Sequence, residues 1–113
     1  MDPRQERRVA ENESLFRGAN EVAAHAIDGF EPGGDSYQLV CECPVTNCED
    51  GLELTRAQYR EVRTNARWFV VLPGHVVGAV EHVVADRGAY WIVEKTGECG
   101  AIAEGLAAAP PAP

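Results

Sequence analysis

Basic residues are missing from a long part of this chain. Between Arg17 and Arg56 there is no lysine or arginine, while Glu21, Asp28, Glu31, Asp35, Glu42, Glu49, Asp50 and Glu53 all fall there. The formal net charge is −8. A general nucleic-acid binder needs a basic footprint to displace counterions from phosphates, so nucleic acid is not the expected partner. Apolar runs are short, and none approaches the length of a membrane span. The opening residues MDPRQERR are charged and lead into no apolar stretch, so no secretory signal is expected. The expected compartment is therefore the cytoplasm, and the acceptor pattern Asn12-Glu13-Ser14 reads as a chance match. Serine is scarce as well: Ser14 and Ser36 are the only two, and neither lies in a nucleophile elbow. No glycine-rich turn runs from a strand into a helix to cradle phosphate. His75 and His82 are seven apart, which is not the helical spacing of a zinc protease. No catalytic residue and no organic-cofactor site are expected, and an enzyme is the less favoured reading.

At 113 residues the chain makes one small domain, whose modest core would gain from a metal or another staple. Arg4 to Asp28 reads as a helix, with Val9, Phe16, Ala19, Ala23 and Ala26 recurring at spacings of three and four and Leu15, Val22 and Ile27 widening the stripe. Gly29 supplies its stop, and Glu31 to Asp35 is a loop by its Pro and Gly content. From Ser36 the pattern alternates, with Tyr37, Leu39, Cys41 and Cys43 on one side. Thr55 with Gln58 three residues later forms a capping box for a helix from Arg56 to about Asn65, with Tyr59 and Val62 inward. RWFVVLPGH is a short strand closed by a Pro-Gly turn, and AVEHVVADRGAYWIVEK reads as a hairpin turning at Asp86-Arg87-Gly88. The expected class is α+β: an N-terminal helix over residues 1–30, a small antiparallel sheet with one further helix and a C-terminal hairpin over 31–95, and a disordered Ala-, Gly- and Pro-rich tail over 96–113.

Three of the four cysteines fall within VCECPVTNCEDG, as C-x-C-x4-C. A strand puts Cys41 and Cys43 on the same side, and the turn that follows brings Cys48 back towards them. Structural zinc takes four nitrogen or sulfur ligands in a closed tetrahedron, so a fourth ligand is needed from elsewhere. His75 ends a Pro-Gly bend that would fix its direction. Cys99 lies in the Gly-flanked tail, and ordering that tail costs conformational entropy. His82 is a third candidate if the inner face of the hairpin points at the site. Three thiolates and an imidazole leave zinc with one net negative charge, four thiolates with two, and the first is easier in an acidic loop. A Cys41–Cys43 disulfide would be strained and out of place in a reducing compartment. Strand alternation alone could bury Cys41 and Cys43 as small core residues, but does not explain Cys48. A reactive thiol is the remaining reading.

Arg56, Arg60, Arg63 and Arg67 sit at helical spacing. They could meet an acidic partner, but a solvated face neutralised by Glu53 and Glu61 is the simpler expectation. Trp68 and Trp91 read as core anchors and His25 as a partly exposed helix residue.

The segments ENESLFRGANE, CECPVTNC, LELTRAQYREVR, RWFVVLPGH and VEHVVADRGAYWIVEK together resemble a family of small uncharacterised actinobacterial proteins with a CxC…C, LT…Y..VR, PGH and VEK pattern. The resemblance implies that Cys41, Cys43, Cys48 and His75 belong to one pattern, with Cys99 outside it. The chain departs at Val76, where the pattern would have an acid. The resemblance brings no activity. The expected function is thus a small zinc-binding protein with a structural zinc at Cys41, Cys43, Cys48 and His75, acting as a protein-interaction or regulatory module with another protein as partner. A thiol-based redox sensor that releases zinc on oxidation and a small zinc-dependent enzyme are the alternatives.

Overall fold

The computed structural model describes residues 3–30, 35–43, 48 and 50–107. The chain is α+β, with three helices and two small antiparallel sheets. Helix α1 spans Pro3–Phe30. Strands β1 (Ser36–Val40) and β2 (Gly51–Thr55) pair antiparallel, with Tyr37 opposite Leu54 and Leu39 opposite Leu52. Those four side chains point into the core while Gln38 and Glu53 face water, the alternation expected of a sheet with one dry side. Strand β2 was not expected from the sequence, because its five residues offer only Leu52 and Leu54 as inward positions. Helix α2 spans Arg56–Arg63. It starts at the capping box: the Gln58 N–H donates to Thr55 Oγ1 at 3.1 Å, and the Thr55 N–H donates to Gln58 Oε1 at 2.8 Å. Tyr59 and Val62 are buried as the spacing requires.

The second sheet has the order β3-β5-β4, where β3 is Trp68–Val71, β4 Glu81–Asp86 and β5 Trp91–Lys95. Central β5 carries buried Ile92, Val93 and Lys95. Edge strand β4 has an irregularity in register between Val83 and Ala85, and its His82, Val83 and Val84 are exposed. Two sheets are present where one was expected. The two are joined by residues just past β1: the Cys41 N–H still donates to Asp50 O at 2.9 Å, but the Glu42 N–H donates to Val70 O on β3 at 2.8 Å. The Cys-Glu-Cys segment therefore leaves one sheet for the edge of the other.

The expectation of a disordered tail fails over Gly97–Ala107, which form α3. Compositional bias hid a helix that packs on α1 and buries Cys99 and Ala103; residues 108–113 lie outside the described residues. Arg17 of α1 ties this corner together, donating to Ala66 O at 2.7 Å and Ala103 O at 2.9 Å with its guanidinium 4.6 Å from the Phe69 ring centroid. The inner face of α1 also departs from the sequence reading. Ala10, Glu13, Arg17, Asn20 and Ala24 are buried, while Leu15, Ala19, Val22 and Ala26 of the expected apolar stripe are exposed.

Candidate metal centre

Cys41, Cys43, Cys48 and His75 come together, with one ligand atom from each lying within 4.8 Å of all the others. Three segments deliver them. Cys41 and Cys43 come from the bridge between the sheets and are fully buried. Cys48 comes from the connection to β2, and His75 from the turn after β3; both are half-buried. That turn shows why Pro-Gly precedes the histidine. The His75 N–H donates to Leu72 O at 3.0 Å, and Gly74 has φ +88°. Proline second and a positive-φ glycine third are the marks of a type II turn, which a side chain at Gly74 would strain.

His75 Nδ1 is 3.6 Å from Cys41 Sγ and 3.7 Å from Cys48 Sγ. Zinc bonds of about 2.3 Å to sulfur and about 2.0 Å to nitrogen give a tetrahedral S···N edge of about 3.5 Å. The two observed edges match it. The four side chains therefore form a group able to hold a metal ion. The Leu72 N–H donates to Cys41 Sγ at 3.2 Å, which orients that sulfur. Burial pushes the Cys41 thiol well above its ordinary pKa, and the Leu72 N–H pulls it only partly back. A thiolate at this depth needs a cation beside it. Cys48 Sγ is 3.8 Å from Asp50 Oδ2, so the acidic loop adds no positive charge of its own.

Behind the sulfurs is a polar network that the sequence reading missed. Glu42, between two of the cysteines, is fully buried. Its carboxylate accepts from Asn20 Nδ2 at 2.7 Å, from the Val70 N–H at 3.0 Å and from both terminal nitrogens of Arg63. Asn20 also holds the Val40 peptide on both sides, accepting its N–H at 2.9 Å and donating to its carbonyl at 2.9 Å. Helix α1, helix α2 and strand β3 thus all fix the backbone that carries Cys41 and Cys43. The available signal was an acid in the middle of an alternating apolar strand, whose charge has to find a partner if the strand is covered on both faces.

The arginine row is not one solvated surface. Arg56 pairs with Asp28 and donates to Tyr37 Oη at 3.1 Å. Arg63 pairs with Glu42 and with Glu21, the latter at 3.6 Å. Burial alone would lower the Arg63 pKa, but the Glu42 carboxylate holds it above its usual value. Arg67 reaches Glu104 on α3 at 2.6 Å, and Arg60 is exposed. Glu61 pairs with Arg87 at 2.8 Å and Glu53 accepts from Gln38 rather than from the row. Neither rival fourth ligand enters the cluster. Cys99 packs with Ala10 and Val80 in a separate buried group, and His82 is exposed on β4. His25 is exposed on α1. No helix among the described residues is long and apolar enough to cross a membrane. No family model, no curated protein and no solved structure matches the chain.

Proposed function

We propose that Cys41, Cys43, Cys48 and His75 hold one zinc ion in a closed structural site, and that the protein is a small cytoplasmic interaction or regulatory module. The observation that carries the reading is the pair of S···N separations, 3.6 and 3.7 Å, which lie within about 0.2 Å of a zinc tetrahedron's edge. Three sulfurs and an imidazole select a borderline-soft ion over magnesium or calcium, which take oxygen donors. Four protein ligands fill a tetrahedron, so no coordination position is left for a substrate or an activated water, and a Lewis-acid enzyme is disfavoured. The ion's work is mechanical. It ties the bridge between the two sheets to the connection before β2 and to the turn after β3. The resemblance noted from the sequence implies the same four residues.

Elemental analysis of the full chain purified under reducing conditions tests this. About one zinc per chain is expected, given up more readily to a chelator by Cys48→Ser and His75→Ala. Zinc-free protein that also fails to take up added zinc or cobalt(II) would sink the reading.

The half-exposed position of Cys48 favours one second reading, a redox sensor. Peroxide would take two electrons from two of the thiolates, forming a disulfide, and with two protons from solvent would be reduced to two waters; the ion, left with two ligands, would dissociate. Mild peroxide that leaves the zinc content unchanged argues against it.

A further inference from the structure

Asp50 is an acid at an inward position of a strand ladder. Strands β1 and β2 pair in register as far as Val40 and Gly51, and the Cys41 N–H, donating to Asp50 O at 2.9 Å, carries the ladder one pair further. Residues directly opposite in an antiparallel ladder share a face, with Cβ atoms about 4.5–5.5 Å apart. Asp50 therefore stands across from Cys41, in line with the inward Leu52 and Leu54. Such a position ordinarily carries an apolar residue. Among the described residues no lysine or arginine pairs with Asp50. Its carboxylate faces Cys48 instead, with Oδ2 3.8 Å from Sγ. Cys48 is the least anchored of the three sulfurs. Cys41 and Cys43 are fully buried, and the Leu72 N–H holds Cys41 Sγ. Cys48 is half-buried, and no backbone N–H among the described residues is directed at its sulfur.

We infer that Cys48 is a modification site and Asp50 a reserve ligand: the Cys48 thiolate detaches to react with a small disulfide, and the Asp50 carboxylate takes over its place on the ion. This rests on the zinc assignment proposed above. The Cys48 thiolate attacks one sulfur of the disulfide. The bond between them forms, the old sulfur–sulfur bond breaks, and the departing thiolate takes a proton from solvent. No electron passes to or from the ion. A disulfide consumes one thiolate, whereas peroxide in the reading above consumes two and frees the ion. Burial leaves Cys48 as the sulfur that solvent reaches, so Cys41 and Cys43 stay in place. While Cys48 is a bound thiolate, it repels the Asp50 carboxylate; once it is a neutral mixed disulfide, that repulsion is gone. One anionic donor then replaces another, so the cluster keeps one net negative charge. Carboxylate oxygen is an ordinary zinc ligand at about 2.0–2.2 Å. Rotation of the Asp50 side chain spans the 3.8 Å to the vacated place while the Asp50 carbonyl stays on the Cys41 N–H.

Treating the zinc-loaded full chain with oxidised glutathione tests this. Native mass spectrometry should show one glutathione per chain, mapped to Cys48, with zinc still bound. Modification should speed zinc loss to a chelator at least about tenfold more in Asp50→Asn than in the wild type. Independently of the adduct, Cys48→Ala should hold zinc at least about tenfold more tightly than the double substitution Cys48→Ala, Asp50→Asn. Zinc loss that modification speeds equally in both chains, or equal zinc affinity of the single and double variants, overturns Asp50 as the replacement and leaves water in that place. A chain that keeps its zinc and forms no adduct at Cys48 overturns the modification site. Unmodified protein that holds no zinc overturns the metal assignment itself, so the two failures are told apart.

Discussion

Glu13 gives the fold a pH dependence that can be calculated before it is measured. Its carboxyl is fully buried on α1 beside Lys95 of β5 and Glu81 of β4, with the Lys95 ammonium also 5.3 Å from the Phe69 ring centroid on β3. Burial pushes its pKa from 4.5 to about 9; Lys95 opposes that shift and Glu81 adds to it. The folded chain therefore keeps this proton at neutral pH, where the unfolded chain gives it up. With Glu13 protonated, the Lys95 ammonium and the Glu81 carboxylate cancel, and the buried group is neutral. The linkage has a fixed sign. The stability that Glu13 contributes is complete below the unfolded pKa, falls by about 1.4 kcal/mol per pH unit above it, and is lost once the pH has passed the folded value. At pH 7 the loss amounts to about 3 kcal/mol. Glu13→Gln keeps the size and the neutral charge and has no proton to lose. Urea unfolding of both proteins at matched zinc, at about pH 5, 7 and 8.5, isolates the effect, because the pH dependence of the metal ligands is common to both and cancels in the difference. The two should be equally stable to within about 1 kcal/mol near pH 5, and the variant should gain by about 3 kcal/mol near pH 7 and by more at pH 8.5. A difference that does not change with pH refutes the reasoning, since a purely steric effect of the amide has no such slope.

Two further expectations concern the support of the metal cluster. Glu42→Gln removes the charge that Arg63 faces in a buried position; it should cost about 3 kcal/mol of stability and weaken zinc affinity about 10- to 100-fold, read by denaturant titration and competition with a chelator. Unchanged zinc affinity would show that the Asn20–Glu42–Arg63 network does not position the cysteines. Gly74→Ala puts a side chain at φ +88° with nothing near its Cβ, so only backbone strain, about 1–2 kcal/mol, acts on the turn that aims His75. Zinc should dissociate faster from this variant while the far side of the second sheet, around Asp86–Trp91, keeps its amide protection in hydrogen exchange.

What could be read from the sequence, and what could not, divides along a physical line. Local signals were sufficient where neighbours in sequence decide the structure. The Thr55–Gln58 capping box starts α2, Tyr59 and Val62 are its buried residues, and the Pro-Gly pair makes the turn before His75. The gathering of the three cysteines with His75 was also legible, because thiols this close together need a common purpose and the turn limits where the imidazole can point. The inner face of α1 was not. Periodicity finds apolar stripes, and here the core side is held by Glu13, Arg17 and Asn20, whose partners lie on β5, ahead of β3, on α3 and along the Cys-Glu-Cys bridge. Helix α3 was missed for a related reason: alanine and glycine carry little pattern, and the helix owes its place to packing on α1 around Ala103 and Cys99. Strand β2 hid in five residues whose alternation, Leu52 and Leu54 inward, is evident once β1 lies beside it. The arginine row looked like one surface because spacing cannot reveal that Glu42, Asp28 and Glu104 each draw one arginine away.

The most direct measurement is X-ray absorption at the zinc edge on the reduced, purified protein. Three sulfur neighbours at about 2.3 Å and one nitrogen at about 2.0 Å, with one sulfur fewer in Cys48→Ser and the nitrogen lost in His75→Ala, are the expected result. A first shell of four sulfurs, a shell containing water oxygen, or a spectrum that neither substitution alters would contradict the assignment of Cys41, Cys43, Cys48 and His75 as a closed structural site.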